Sequence, residues 1–190
     1  DHTTPDTVQA ARDSFNGRGL TETQFEKAWA ITSILRSEIQ NRGSFKEALT
    51  DYAHVYARDE KFDALRGEAI LRDIYQGRYG QTLNATREDL MKREETVAEF
   101  AQDKVLAAAE SIVPMIKEGQ TRPFYQAYDA AAVTLSQDLG ITQSGAKTMM
   151  KEVFAAKHGR GLYEVGKEAE QTPHRPVKEA EIAARKAENL

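Results

Sequence analysis

Residues 132–151 read AVTLSQDLGITQSGAKTMMK and predict two helices joined by a tight turn. Gly140 stands at the corner, where a tight turn needs a backbone conformation that glycine adopts without strain. Ser136, four residues earlier, is small enough to let the two helices cross closely. Thr142 is the predicted N-cap of the second helix, because its hydroxyl can accept from a free backbone N–H. The stretch therefore predicts a helix-turn-helix corner.

Signals for helix starts recur along the rest of the chain, and strand-like alternation is scarce. Thr21 with Gln24, and Ser44 with Glu47, fit the capping box, in which two side chains satisfy free backbone N–H groups. Asp59 is a predicted cap for the helix that follows it. Apolar residues come after these caps at steps of three, four and seven, as expected for helices with one buried face.

One helix is predicted to be longer than the others. It opens at Thr86 and continues along an apolar stripe to Ile112, until Pro114 kinks or ends it. The predicted fold class is therefore all-α: a multi-helix bundle with one long helix and a helix-turn-helix-like corner near the C-terminus.

The length and composition of the chain favour a single helical domain. With 190 residues, 40% of them hydrophobic, the chain can bury one sizeable core, which we place in residues 1–171. Residues 172–176 contain two prolines and break the helical pattern. Residues 177–190 are rich in Ala, Glu and Lys, so residues 172–190 are predicted to be a charged tail that is frayed or extends as a helix of marginal stability.

Charge and composition exclude several kinds of protein. The net charge of -4 lacks the basic excess of strong non-specific nucleic-acid binders, so any DNA contact needs a local patch. The absence of cysteine excludes disulfides and thiol chemistry. No apolar run approaches the roughly 20 residues of a membrane helix. The start lacks both a leader pattern and an initiator Met, so we expect a processed protein or part of a larger one, cytoplasmic by default.

Residues 132–151 resemble the helix-turn-helix of phage-repressor-type DNA-binding proteins. The resemblance implies a recognition helix that starts at Gln143 and reads base edges. Gln143 would then contact adenine, Ser144 a base or a phosphate, and Lys147 and Lys151 the phosphate backbone.

Further basic residues extend this surface to Lys157 and Arg160, interrupted by Glu152. Gly145 lies inside the predicted recognition helix, where glycine costs about 1 kcal/mol relative to alanine. Residues 161–187 show a weaker resemblance to the helical accessory regions of plasmid-transfer relaxases. No diagnostic motif accompanies it, so no residue role follows.

Two further groups of residues are candidates outside the corner. Arg78 and Tyr79 lie in a predicted glycine-flanked loop over residues 76–81, where Tyr79 would stack on a partner. Glu47, Asp51 and His54 share one helical face, which is half of a metal site; an exposed ladder of ion pairs explains them better. We therefore expect no metal and no cofactor.

Two classes of function remain open. The first is a non-enzymatic helical interaction module, part of a larger protein, that binds a protein partner. The second is a DNA-binding accessory or regulatory domain, of the kind found in mobile-element or plasmid-transfer proteins, that uses the helix from Gln143. No catalytic motif is present, so an enzyme is the less favoured reading.

Overall fold

A computed structural model describes residues 5–117 and 123–171, and every regular element in those ranges is an α-helix. This confirms the all-α class predicted from the sequence. The helices in chain order are α1 Pro5–Arg18, α2 Glu22–Arg42, α3 Lys46–Glu60, α4 Ala64–Tyr79, α5 Leu83–Phe100, α6 Gln102–Glu110, α7 Ile112–Lys117, α8 Phe124–Leu139, α9 Gln143–His158 and α10 Leu162–Gln171.

Contacts within the chain divide it into two compact units, residues 1–93 (unit 1) and 94–190 (unit 2), and α5 contributes residues to both. A division into contact units does not test how many parts fold independently. The single domain expected over residues 1–171 therefore stays a prediction. The predicted tail over residues 172–190 lies outside the described residues.

Unit 1 is built around α4, which packs against α1, α2 and α3. Apolar side chains from α2 and α4 form the centre of its core; those fully buried include Leu35, Ile39, Ile70, Leu71 and Ile74. At Gly77 helix α4 crosses α1 so closely that a Cβ would lie 2.5 Å from the Cα of Ala11. The loop predicted over residues 76–81 is therefore wrong for residues 76–79, which belong to α4. Helix α4 continues through this crossing and ends at Gly80, which has a φ of 72°.

One of the two predicted capping boxes is confirmed. Thr21 Oγ1 accepts from the N–H of Gln24 at 3.2 Å, and the Gln24 side chain accepts from the N–H of Thr21 at 2.9 Å. The second box is wrong, because Phe45 occupies the N-cap position of α3 and no side chain caps that helix. Phe45 is buried in the core of unit 1, so apolar burial sets the start of α3.

The predicted cap at Asp59 is also wrong. Helix α3 continues through that position to Glu60, and α4 is capped by Asp63 instead. The Asp63 carboxylate accepts from the N–H of Arg66 at 2.8 Å. A carboxylate four residues further along the chain therefore makes the N-terminal contact that the sequence pattern gave to Asp59.

Unit 2 is built around α9, which packs against both α6 and α8, while α10 packs mainly against α7. The largest side chains that are nearly or fully buried at its core come from α7, α8, α9 and α10; they are Ile112, Phe124, Met150, Phe154 and Leu162. Val97 adds the end of α5 to this core.

The long helix predicted from Thr86 to Ile112 is divided in the structure. Helix α5 begins at Leu83, where the Thr82 hydroxyl accepts from a backbone N–H, and the helix ends at Phe100. Ala101 breaks the helical backbone with a φ of -129° before α6 begins. Pro114 lies in the first turn of α7, where its missing N–H costs no helical hydrogen bond. A second break separates the end of α6 at Glu110 from the start of α7 at Ile112. The apolar spacing of the sequence continues across both breaks, so the spacing could not reveal them.

Candidate functional site

The corner between α8 and α9 has the local geometry that the sequence predicts. Gly140 ends α8 in the left-handed conformation, with a φ of 67°. The N–H groups of Gly140 and Ile141 both donate to the Ser136 carbonyl, at 2.9 and 3.2 Å. The Ser136 hydroxyl donates to the Ile141 carbonyl at 2.7 Å, and Thr142 Oγ1 accepts from the N–H of Gly145 at 2.9 Å. The helix-turn-helix shape and its caps are therefore confirmed.

A carboxylate from α5 completes the start of α9. The N–H of Thr142 donates to Glu94 Oε1 at 3.0 Å, and the Thr142 hydroxyl donates to the same oxygen. A Cβ on residue 145 would overlap this carboxylate, which explains why glycine stands inside the helix. A negative charge at a helix N-terminus is also favoured by the helix dipole. The N-terminus of α9 is therefore occupied by a group from within unit 2.

The start of α8 is closed in the same way by α10. Pro123 stands at its N-cap position and offers no side-chain acceptor. The N–H of Phe124 donates instead to the Glu170 carboxylate, and this hydrogen bond lowers the pKa of Glu170 below its ordinary value. A Cβ on Gly166 would overlap the Phe124 ring, so glycine lets α10 approach α8 closely.

Part of the basic surface predicted on α9 is neutralised by acids. Ser144, Lys147 and Lys151 follow one another at steps of three and four, so they share one face of α9. Ser144 and Lys151 are exposed, whereas Lys147 and Gln143 are half-buried. Lys147 forms an ion pair with Asp129 of α8.

The two remaining basic residues lie beyond this face. Lys157 is exposed in the last turn of α9, and Arg160 follows the end of the helix. Arg160 pairs with Glu164, at 2.9 Å, and with Glu168. Four basic residues were predicted to contact DNA. Among the described residues, Lys147 and Arg160 have acidic partners, whereas Lys151 and Lys157 have none.

Arg78 and Tyr79 belong to α4 and serve the packing of unit 1. Arg78 is only 7% exposed; its Nη1 donates to the Trp29 carbonyl at 2.7 Å, and its guanidinium carbon lies 4.5 Å from the Trp29 ring centroid. Tyr79 is half-buried, with its ring centroid 4.7 Å from that of Tyr75 and the Arg36 guanidinium 4.3 Å away on its face. Burial raises the pKa of Tyr79. Both side chains therefore have partners inside the unit.

The candidate metal face on α3 stays exposed. Glu47, Asp51 and His54 all lie at the surface of that helix. Within residues 5–117 and 123–171 no three His, Asp or Glu side chains converge in a way that would hold a metal ion.

An apolar groove of about 800 Å³ lies between α6–α7 and α8, and sequence reasoning missed it. The lining combines four alanines with larger apolar and polar side chains; it comprises Lys104, Ala107, Ala108, Ser111, Met115, Ala130, Ala131, Thr134, Leu135, Asp138 and Leu139. The alanines of α6 and α8 read as ordinary helix-forming residues, so only the packing of the two helices reveals the groove. None of its lining residues comes from α9, against which both helices pack.

Comparison of the chain with protein-family models, curated proteins and solved structures found no match. No helix in the part of the chain that the structure describes is long and apolar enough to cross a membrane. The geometry of the corner and of the groove is therefore the basis for a functional proposal.

The Glu170 contact predicts an acid-dependent loss of stability. Because its pKa is lower in the folded protein, the contribution of Glu170 is present above its ordinary value of 4.5 and is lost as the pH falls through the folded value. We expect Glu170→Gln to remove this part of the pH dependence, since the amide does not ionise. Thermal unfolding between about pH 6 and pH 3 measures it. Glu152→Gln, on the exposed face of α9, is the control; an acid slope in Glu170→Gln as steep as that of the wild type would contradict the assignment.

Proposed function

We propose that unit 2 is a non-enzymatic protein-interaction module that binds an α-helical segment of a partner protein. The observation that carries the proposal is the apolar groove between α6–α7 and α8. A common mode of recognition places the apolar face of an amphipathic helix in such a groove.

The side chains of the groove suit a helix as its occupant. Small residues such as Ala107 and Ala130 stand on opposite walls and leave space for a partner backbone to approach closely. Met115, which is half-buried, supplies a larger apolar surface against which partner side chains would be buried. The groove volume of about 800 Å³ accommodates several partner side chains, and the burial of these side chains supplies the main favourable free energy of binding.

Two residues of the lining carry opposite charges. Lys104 and Asp138 are both exposed, and neither forms an ion pair with another described residue. A partner helix with an acid near Lys104 and a base near Asp138 would pair with both. Such exposed pairs contribute mainly to orientation and specificity, whereas the apolar contacts contribute affinity.

The groove proposal predicts a site-specific cross-link. A photoreactive amino acid at exposed Thr134 should capture a partner in the producing cell, whereas the same group at exposed Ser144 on α9 should not. The captured protein is then purified, and its affinity for the wild type is measured directly.

In that measurement Ala107→Glu should weaken binding at least about tenfold, because a charge is buried against the apolar face of the partner. Ser144→Glu, with the same change of charge on α9, should leave the affinity unchanged. Equal affinities for the two variants would reject the groove as the docking surface.

The second candidate function is a DNA-binding accessory or regulatory domain. It is favoured by the exposed ridge of Ser144, Thr148 and Lys151 on α9, which follows a turn of the kind that presents recognition helices. The pairing of Lys147 with Asp129 removes one of the predicted phosphate contacts, and we therefore rank this function second.

The DNA-binding candidate predicts that Lys151→Glu with Lys157→Glu abolishes duplex binding, measured by fluorescence anisotropy at low salt. Both lysines are exposed, so the domain should remain folded. Each single variant, Lys151→Glu or Lys157→Glu, removes one phosphate contact and should reduce the salt dependence of log K by about one. Arg42→Glu with Lys46→Glu, exposed in unit 1, is the control of equal charge. Absence of wild-type binding, or equal loss in both double variants, rejects this function.

A further inference from the structure

We propose that residues 177–190 of this chain bind the groove between α6–α7 and α8 and compete there with the partner helix. The inference rests on the proposed docking function of the groove and names an occupant within the same chain. Two observations support it: the place where the described chain ends and the spacing of small residues in the segment.

The described chain ends close to one end of α8. Helix α10 ends at Gln171, and the preceding residue, Glu170, binds the N–H of Phe124 in the first turn of α8. Ala130, the first groove residue of α8, lies about 9 Å further along that helix. Residues 172–176 can span up to about 20 Å, so residue 177 can reach the groove from α10.

The sequence of the segment is complementary to the groove walls. Val177, Ala180, Ala184 and Ala187 follow steps of three and four, the spacing of one helical face. These side chains are small, as are the alanines on both walls of the groove. A segment of this length with few apolar groups is marginal as an isolated helix and gains stability only by packing. The groove offers an apolar surface for it within the same unit.

Disulfide trapping in the full chain tests this proposal. The chain has no cysteine, so an introduced pair is the only source of a disulfide. Thr134→Cys is combined with one of two partners. Ala184→Cys lies on the small-residue face, which is the helical face that Val177, Ala180, Ala184 and Ala187 would share. Lys186→Cys lies two residues further along the chain and would stand on the opposite face of the same helix. The first pair should close at least about tenfold faster within one chain, because binding raises the effective concentration of the two thiols.

Equal rates for the two pairs would overturn the proposal, as would disulfides formed only between chains, which would assign the groove to a second copy. An independent measurement uses Ala184→Glu, which places a charge on the small-residue face. Hydrogen exchange of the groove residues in α6 and α8 should become faster in this variant and stay unchanged in Lys186→Glu. Equal exchange in both variants counts against the proposal.

Failure of the tail proposal and failure of the docking proposal give different experimental results. If the captured partner binds Ala107→Glu more weakly than Ser144→Glu but the two cysteine pairs close at equal rates, competition by residues 177–190 is rejected and the docking function stands. If the Thr134 cross-link fails while the first pair closes faster, the groove is an intramolecular contact and the docking function is rejected.

Discussion

The contact between Glu94 and the first turn of α9 is the constraint on which unit 2 depends most. The Thr142 hydroxyl accepts from Gly145 and donates to Glu94, while the N–H of Thr142 donates to the same carboxylate. Four polar groups in a partly buried setting thus satisfy one another, which a helix start of this kind requires. Glycine at position 145 is the residue that leaves space for this arrangement.

The position of α9 in turn supports both candidate surfaces. Helices α6 and α8 each pack against α9, so α9 fixes the two helices whose other sides line the groove. The exposed ridge of α9 is held in place by the same contacts, together with the hydrogen bond from the Tyr128 hydroxyl to the Lys147 carbonyl. The groove proposed as a docking site and the exposed ridge of α9 therefore share one structural support, and binding experiments on each surface separate the two proposed functions.

Local signals in the sequence predicted the fold class and the corner, whereas contacts between distant residues decided the rest. Gly140 and Thr142 act through neighbours within three or four residues, so a short window suffices to identify them. Glu94 meets Thr142 from 48 positions away, and burial of Phe45 overrides the cap expected nearby. The α9 site residues could be placed on one helix, but the pairing of Lys147 with Asp129 and the groove both require tertiary packing.

The most direct test of this account is a double-mutant cycle between Glu94 and Gly145, followed by chemical unfolding. In the Glu94→Ala background, Gly145→Ala should stabilise unit 2 by up to about 1 kcal/mol, the intrinsic gain of alanine over glycine in a helix. In the wild type that gain should be offset by loss of the Glu94 contacts, which are worth about 0.5 to 2 kcal/mol as a cap. Gly17→Ala in α1, with nothing within 4 Å of its added Cβ, reports the uncoupled effect and should not depend on Glu94. Equal stabilisation by Gly145→Ala in both backgrounds would contradict the account.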